Sequence, residues 1–206
     1  MSEVVTHARP FESIGFVERE SKDGKQLHFK CGRDFIYFCL NFYLPETFNP
    51  HALTPVEIDR QHLFGIPVPK YLAWTQLQFL YLPNYLASKK LSLFINNRKI
   101  ESYFSFVFGN LFSRISYEEA MASIEHCVRQ NTACAIDIPI RKIGPALLDH
   151  VLFVHGFDAE NLYVCDTLTV PDLEYQKINQ SVHYYKLSRS VIRKNWSIFG
   201  RVWRVE

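Results

Sequence analysis

No stretch of this chain approaches the ~18 consecutive apolar residues that a membrane span needs. Its opening, MSEVVTHARPFES, lacks the charged-then-apolar order ending in small residues that marks a secretory signal. Both observations point to a protein with no membrane partner. Five cysteines form an odd set. Without an export signal they read as thiols in a reducing, cytoplasmic setting rather than as a disulfide framework. There is no Cys-x-x-Cys, and His126 and Cys127, adjacent on an expected helix, cannot chelate in the usual way. Neither a metal nor a cofactor is therefore expected. The formal net charge of +2 is too small to imply nucleic acid. Basic residues fall in short clusters at 89–90, 97–99 and 189–194, with no stripe or recognition motif. Internal repeats and low-complexity tracts are missing as well.

What is present is a core-forming chain. At 206 residues and 48% apolar content it can bury a single-domain core without a metal or disulfide staple. Aromatics are abundant, with 17 Phe, 11 Tyr and 3 Trp. They read as a core built on rings, with a surplus lining a substrate groove as the alternative.

Residues 11–30 read as a hairpin, two alternating runs flanking Lys22-Asp23-Gly24-Lys25. The period then becomes helical: Phe35, Phe38, Cys39 and Phe42 follow the i, i+3, i+4, i+7 spacing, and Pro45 closes the helix. Residues 51–115, rich in proline, form a variable middle segment of mixed helix and strand. Ser116 and Glu119 have the spacing of a capping box, which starts a helix over 117–130 with Ala120, Ile124, Cys127 and Val128 on its buried stripe. Strands are expected at 133–140, 149–157 and 161–167, the last two joined by a tight turn at 158–161. Strand pieces at 182–187 and 202–205 and a short helix near 188–195 follow. An early helix, a long middle and a late antiparallel sheet suggest α+β rather than alternating βαβ units.

Three residues could carry nucleophilic chemistry. Cys31 stands at the expected start of the early helix, where the macrodipole and free backbone N–H groups favour a thiolate. Gly32 would let a substrate carbonyl approach those N–H groups, which could hold an oxyanion. Cys31 reads equally as a small buried hydrophobe before a core helix. His150 opens a strand and Asp166 ends the next one, so pairing across the turn sets the carboxylate close to the imidazole. As alternatives, His150 is a satisfied edge-strand histidine and Asp166 a turn residue. Gln26, just upstream of the thiol, is an oxyanion donor or a solvated hairpin residue. Asp137, in the apolar strand Ala135–Pro139, is a second acid of the site or a strand-edge residue.

Cys31-Gly32 at a helix start, followed far downstream by HVLFVHGFDAENLYVCDT from His150 to Thr167, resembles the papain-like group that includes the double-glycine leader peptidases. The stretch LTPVEIDRQHLFGIPVP from Leu53 to Pro69, and ACAIDIPI before the histidine strand, are similar to the N-terminal domain of the butirosin-pathway acyltransferase family. The similar stretches cover about half the chain. The resemblance implies a papain-like fold with a nucleophile helix packed on a late antiparallel sheet, Cys31 as nucleophile, His150 as base and Asp166 as orienting acid. It implies transfer or release of an acyl group from a carrier-protein thioester in a specialised biosynthetic pathway. A peptidase acting on a peptide substrate and a catalytically silent binding module are the alternatives. This chain departs from the family pattern in carrying Lys25 where the oxyanion Gln is usual and Arg33-Asp34 where small residues are usual. Lys89, Lys90, Arg98 and Lys99 would supply the basic patch that a carrier partner predicts, or are ordinary solvated positions.

Overall fold

The computed structural model describes residues 3–7, 35, 38–40, 42–44, 62–63, 66–67, 82–102, 105, 114–143, 146–166, 175–177, 183–196 and 200–206. Within them the chain mixes few helices with an antiparallel sheet. The strands are β1 (Val5–Thr6), β2 (His62–Leu63), β3 (Ile66–Pro67), β4 (Leu93–Ile95), β5 (Arg98–Ile100), β6 (Ala133–Ile143), β7 (Ala146–Phe157), β8 (Asn161–Asp166), β9 (Tyr175–Lys177), β10 (His183–Ser188) and β11 (Arg201–Val205). The helices are α1 (Leu82–Ser88), α2 (Tyr117–Arg129) and α3 (Arg189–Asn195). Phe35, Phe38–Leu40, Phe42 and Tyr43 are also helical and belong to the expected early helix. The expected hairpin of residues 11–30 lies outside the described residues. No helix among the described residues is long and apolar enough to cross a membrane.

The main sheet runs β5-β4-β11-β6-β7-β8-β10-β9, with β1 added to the end of β7. Its middle strands are apolar at consecutive positions because both faces are covered. Ala133, Ala135, Val151, Phe153, Cys165, Trp203 and Val205 meet the early helix. Their alternates Cys134, Ile136, Ile138, Leu152, Val154, Val164 and Val202 meet α2 and α3. The pleat sends successive side chains to opposite faces, so one run of sequence feeds two cores.

The capping box forms as expected: the Glu119 amide donates to Ser116 Oγ, and the Ser116 amide donates to the Glu119 carboxylate. The β7–β8 turn is equally specific. Asp158 Oδ1 accepts from the amides of Glu160 and Asn161, both at 2.7 Å, and Tyr163 Oη donates to Oδ2 at 2.8 Å. Burial opposes ionisation of this carboxyl, but hydrogen bonds from Tyr163 and the turn amides outweigh it and hold its pKa down to about 2.

The middle segment contributes more to the sheet than its sequence suggested. Leu93 and Ile95 are buried and pair with Val205 and Trp203, so β4 and β5 extend the sheet by way of β11. At the opposite end of β7, the register shifts between Val154 and Gly156, where β1 docks. A Cβ at Gly156 would stand 2.6 Å from the Val5 carbonyl oxygen, so this close approach requires glycine.

Replacing Asp158 with Ala should leave the turn amides without their acceptor and cost roughly 2 kcal/mol. Urea unfolding checks this; an unchanged midpoint would show that the carboxylate does not hold the hairpin.

Candidate functional site

The early helix fixes the geometry at one end of the sheet. The Phe35 ring lies edge-on to Trp203 at 6.1 Å, and Phe38 stacks on Phe153 at 5.0 Å. Further along, Tyr43 Oη donates to the Val205 carbonyl and accepts from the Ala133 amide. The helix thus runs from the Trp203 row toward the Ala133–Val205 row. One step beyond the Trp203 row along β6 and β11, Asp137 pairs with Arg201. Cys31, Gly32 and Gln26 lie outside the described residues.

Asp137 and Arg201 share the helix-facing side of the sheet with Ala135 and Trp203, by alternation along each strand. Arg201 Nη1 lies 3.1 Å from Asp137 Oδ2, and the carboxylate is almost fully buried. A carboxylate in an apolar strand calls for a partner, but nothing near it in the sequence names one. That partner lies on the last strand, and no local pattern encodes it.

His150 and Asp166 are placed by backbone only. His150 pairs across β6 with Ile138, next to the Asp137–Val151 pair. Asp166 ends β8 opposite His183 of β10, one residue beyond the Phe153–Cys165 pair that joins β8 to β7. Continued by one residue, that register sets Asp166 level with Leu152, one same-parity step from His150. The backbones of Asp137, His150, Asp166 and Arg201 therefore lie toward the same end of the sheet. Ile138, the cross-strand partner of His150, belongs to the α2 core, whereas Val151 and Phe153 belong to the early-helix core.

The other thiols are enclosed. Cys39, Cys127, Cys134 and Cys165 are buried thiols outside any disulfide among the described residues. Burial pushes the Cys39 thiol well up. A hydrogen bond with Cys134, helped by Arg204, lowers Cys127 against the effect of burial, and the same contact and burial raise Cys134. Lys89, Lys90, Arg98 and Lys99 are exposed, the last two on β5 at the sheet edge away from β7. Among the described residues, no group of three or more His, Cys, Asp or Glu is placed to hold a metal ion.

A second histidine pair escaped the sequence reading. His7, next to β1, is buried with its ring 5.2 Å from Phe42 and 6.3 Å from His155. Burial and then the neighbouring His155 lower its pKa to about 4. Asn131 and the Val154 carbonyl pull weakly the other way, but neither ring nitrogen completes a hydrogen bond. Only the pairing of β1 with β7, a contact across most of the chain, brings the two rings together.

Compared with known proteins, the chain matches no family model and no curated protein.

Two outcomes follow from these buried charges. Asp137→Ala should cost about 3–5 kcal/mol in urea unfolding by stranding the Arg201 guanidinium, and adding Arg201→Met should recover part of that loss. An additive double mutant would show that the two side chains do not interact. His7 has its folded pKa below the unfolded value, so its contribution is complete above about pH 6.5 and disappears as pH falls toward 4, up to about 3 kcal/mol. Melting temperature should drop over that window, and His7→Leu should flatten the drop; an identical acid response in the variant would assign the loss to another group.

Proposed function

We propose that this protein is a papain-like thiol enzyme that takes up an acyl or peptidyl group as a thioester on Cys31. His150 accepts the thiol proton as the sulfur attacks the substrate carbonyl. The carbonyl oxygen becomes an oxyanion, held by the backbone N–H groups around Gly32 and by the Gln26 amide. The intermediate collapses by breaking the bond to the leaving group, a carrier thiolate or an amine, which leaves with the proton from His150. Water or an acceptor amine then attacks the thioester, with His150 again serving as base. Asp166 orients the imidazole and stabilises its protonated form. Asp137, already paired with Arg201, acts as a structural charge at the rim rather than as a second proton donor.

The observation that supports this reading is that the His150 and Asp166 backbones lie on adjacent antiparallel strands, near the level of the Asp137–Arg201 pair. The departure of an acyl group from a carrier-protein thioester to an amine in a specialised cytoplasmic pathway fits the motifs best. A peptidase would use the same residues on a peptide. A second reading, a papain-like module that binds a peptide without covalent chemistry, is favoured by the pairing of His150 with Ile138 of the α2 core.

Iodoacetamide at pH 6, with the adducts mapped, separates these readings. Catalysis predicts labelling of Cys31 at least about tenfold faster than the buried thiols, lost in His150→Ala. Slow and even labelling of all five cysteines would retire the catalytic account. Intact mass after exposure to an acyl-carrier thioester or to a peptide then distinguishes transfer from proteolysis, since only the productive substrate leaves an adduct on Cys31.

A further inference from the structure

The turn that joins β7 to β8 also walls a cavity of about 480 Å3, at the end of β7 remote from His150. Its other walls come from β1, α2 and α3 through Glu3, Val5, Glu125, Arg129 and Arg189. The volume falls in the range of small-molecule sites, about 300–1,000 Å3.

Most of the charge lining this cavity is already committed. Arg189 Nη2 lies 2.8 Å from Glu125 Oε1 and donates to the Asp158 carbonyl at 2.7 Å. The Asp158 carboxylate is consumed by its own turn. Two groups of opposite sign are left. The Arg129 guanidinium is held 5.0 Å from the centroid of the Phe157 ring, and among the described residues no carboxylate stands within ion-pair distance of it. Glu3 is exposed and lines the same cavity. Arg189 adds a donor: its Nε–H is buried and has no hydrogen-bond partner among the described residues.

We propose that this cavity binds a small zwitterion of the amino-acid class, its carboxylate on Arg129 and its ammonium on Glu3. A dianion such as phosphate would be repelled by Glu3 and Glu125, and a lone cation by Arg129. A ligand carrying one charge of each sign satisfies both free groups at once. The guanidinium presents a planar fork that matches a carboxylate. Packing on Phe157 fixes that fork in place, which reduces the ordering cost of binding. Arg189 lines the same cavity, and its unpaired Nε–H offers the carboxylate a further donor. The site shares no residue with the proposed thiol chemistry and stands or falls separately from it.

The test is an amide-detected NMR titration of the full chain with glycine, β-alanine and 4-aminobutyrate, against butyrate and butylammonium at matched ionic strength. The best of the three zwitterions should shift the amides of Phe157, Asp158, Ala159 and Glu160 and bind at least about tenfold more tightly than either singly charged probe. Arg129→Gln, an exposed substitution that leaves the fold intact, should abolish the response. Glu3→Gln should reduce the zwitterion to the level of butyrate. Equal responses to all probes, shifts that persist in Arg129→Gln, or none up to about 50 mM would overturn the proposal.

Discussion

Phe153 is the contact on which the described core depends. Its ring meets Phe38 at 5.0 Å, His7 at 5.9 Å, Phe35 at 6.4 Å and Phe42 at 6.5 Å, so one side chain of β7 ties the early helix and the strand β1 to the sheet. An aromatic side chain buries about 150–250 Å2, and each ring pair adds about 0.5–1.5 kcal/mol beyond that area. The neighbours of Phe153 in sequence, Leu152 and Val154, point into the other core with α2. The helix above the sheet and the helix below it are thereby registered through the same three residues. A shift of β7 by one position would exchange the two cores and put Phe153 against α2.

Two polar arrangements bracket this aromatic layer. On the Ala133 side, His7 and His155 lie among rings, and burial keeps His7 neutral. On the other side, Arg201 Nη1 donates to Asp137 Oδ2 at 3.1 Å. The contrast follows from what each group can do when water is removed. An imidazole sheds its proton at little cost near neutral pH, whereas a guanidinium cannot, and so it must keep an anion beside it. The sheet end with the permanent ion pair is also the end that gathers the backbones of His150 and Asp166.

How far the sequence reveals this depends on the range of each interaction. Local devices were fully legible: the Ser116–Glu119 capping box, the Asp158 turn, and the helical spacing of Phe35, Phe38, Cys39 and Phe42, all of them buried. The long strands β6 and β7 were legible as strands because their apolar runs are bounded by turns, although both extend beyond their expected limits as a paired ribbon. Strands of two or three residues, such as β1, β4 and β5, hold too little alternation to be recognised. Their place in the sheet comes from distant partners: Val5 against Phe157, and Ile95 against Trp203. For the same reason the burial of Asp137 could be anticipated from its apolar strand, while Arg201 could not be named. His7 gave no signal at all, since an isolated histidine near the start of a chain acquires meaning only from the strand it joins.

The two ends of the β6–β7 ribbon differ in the residues they carry. Among the described residues, β11 begins at Arg201, level with Asp137, and β8 ends at Asp166. Beyond that level β6 and β7 remain paired, with Arg141, Lys142 and Ile143 opposite Leu148, Leu147 and Ala146 and a register irregularity after Pro139. Strand ends carry amides and carbonyls with fewer ladder partners, and irregularities of this kind re-aim side chains at sheet rims. Asp137 and Arg201 stand at this level on the face that carries Ala135 and Trp203, and the backbones of His150 and Asp166 lie near the same level. The charge held there by Arg201 and Asp137 lets the rim stay polar without unfolding the core that Phe153 closes behind it.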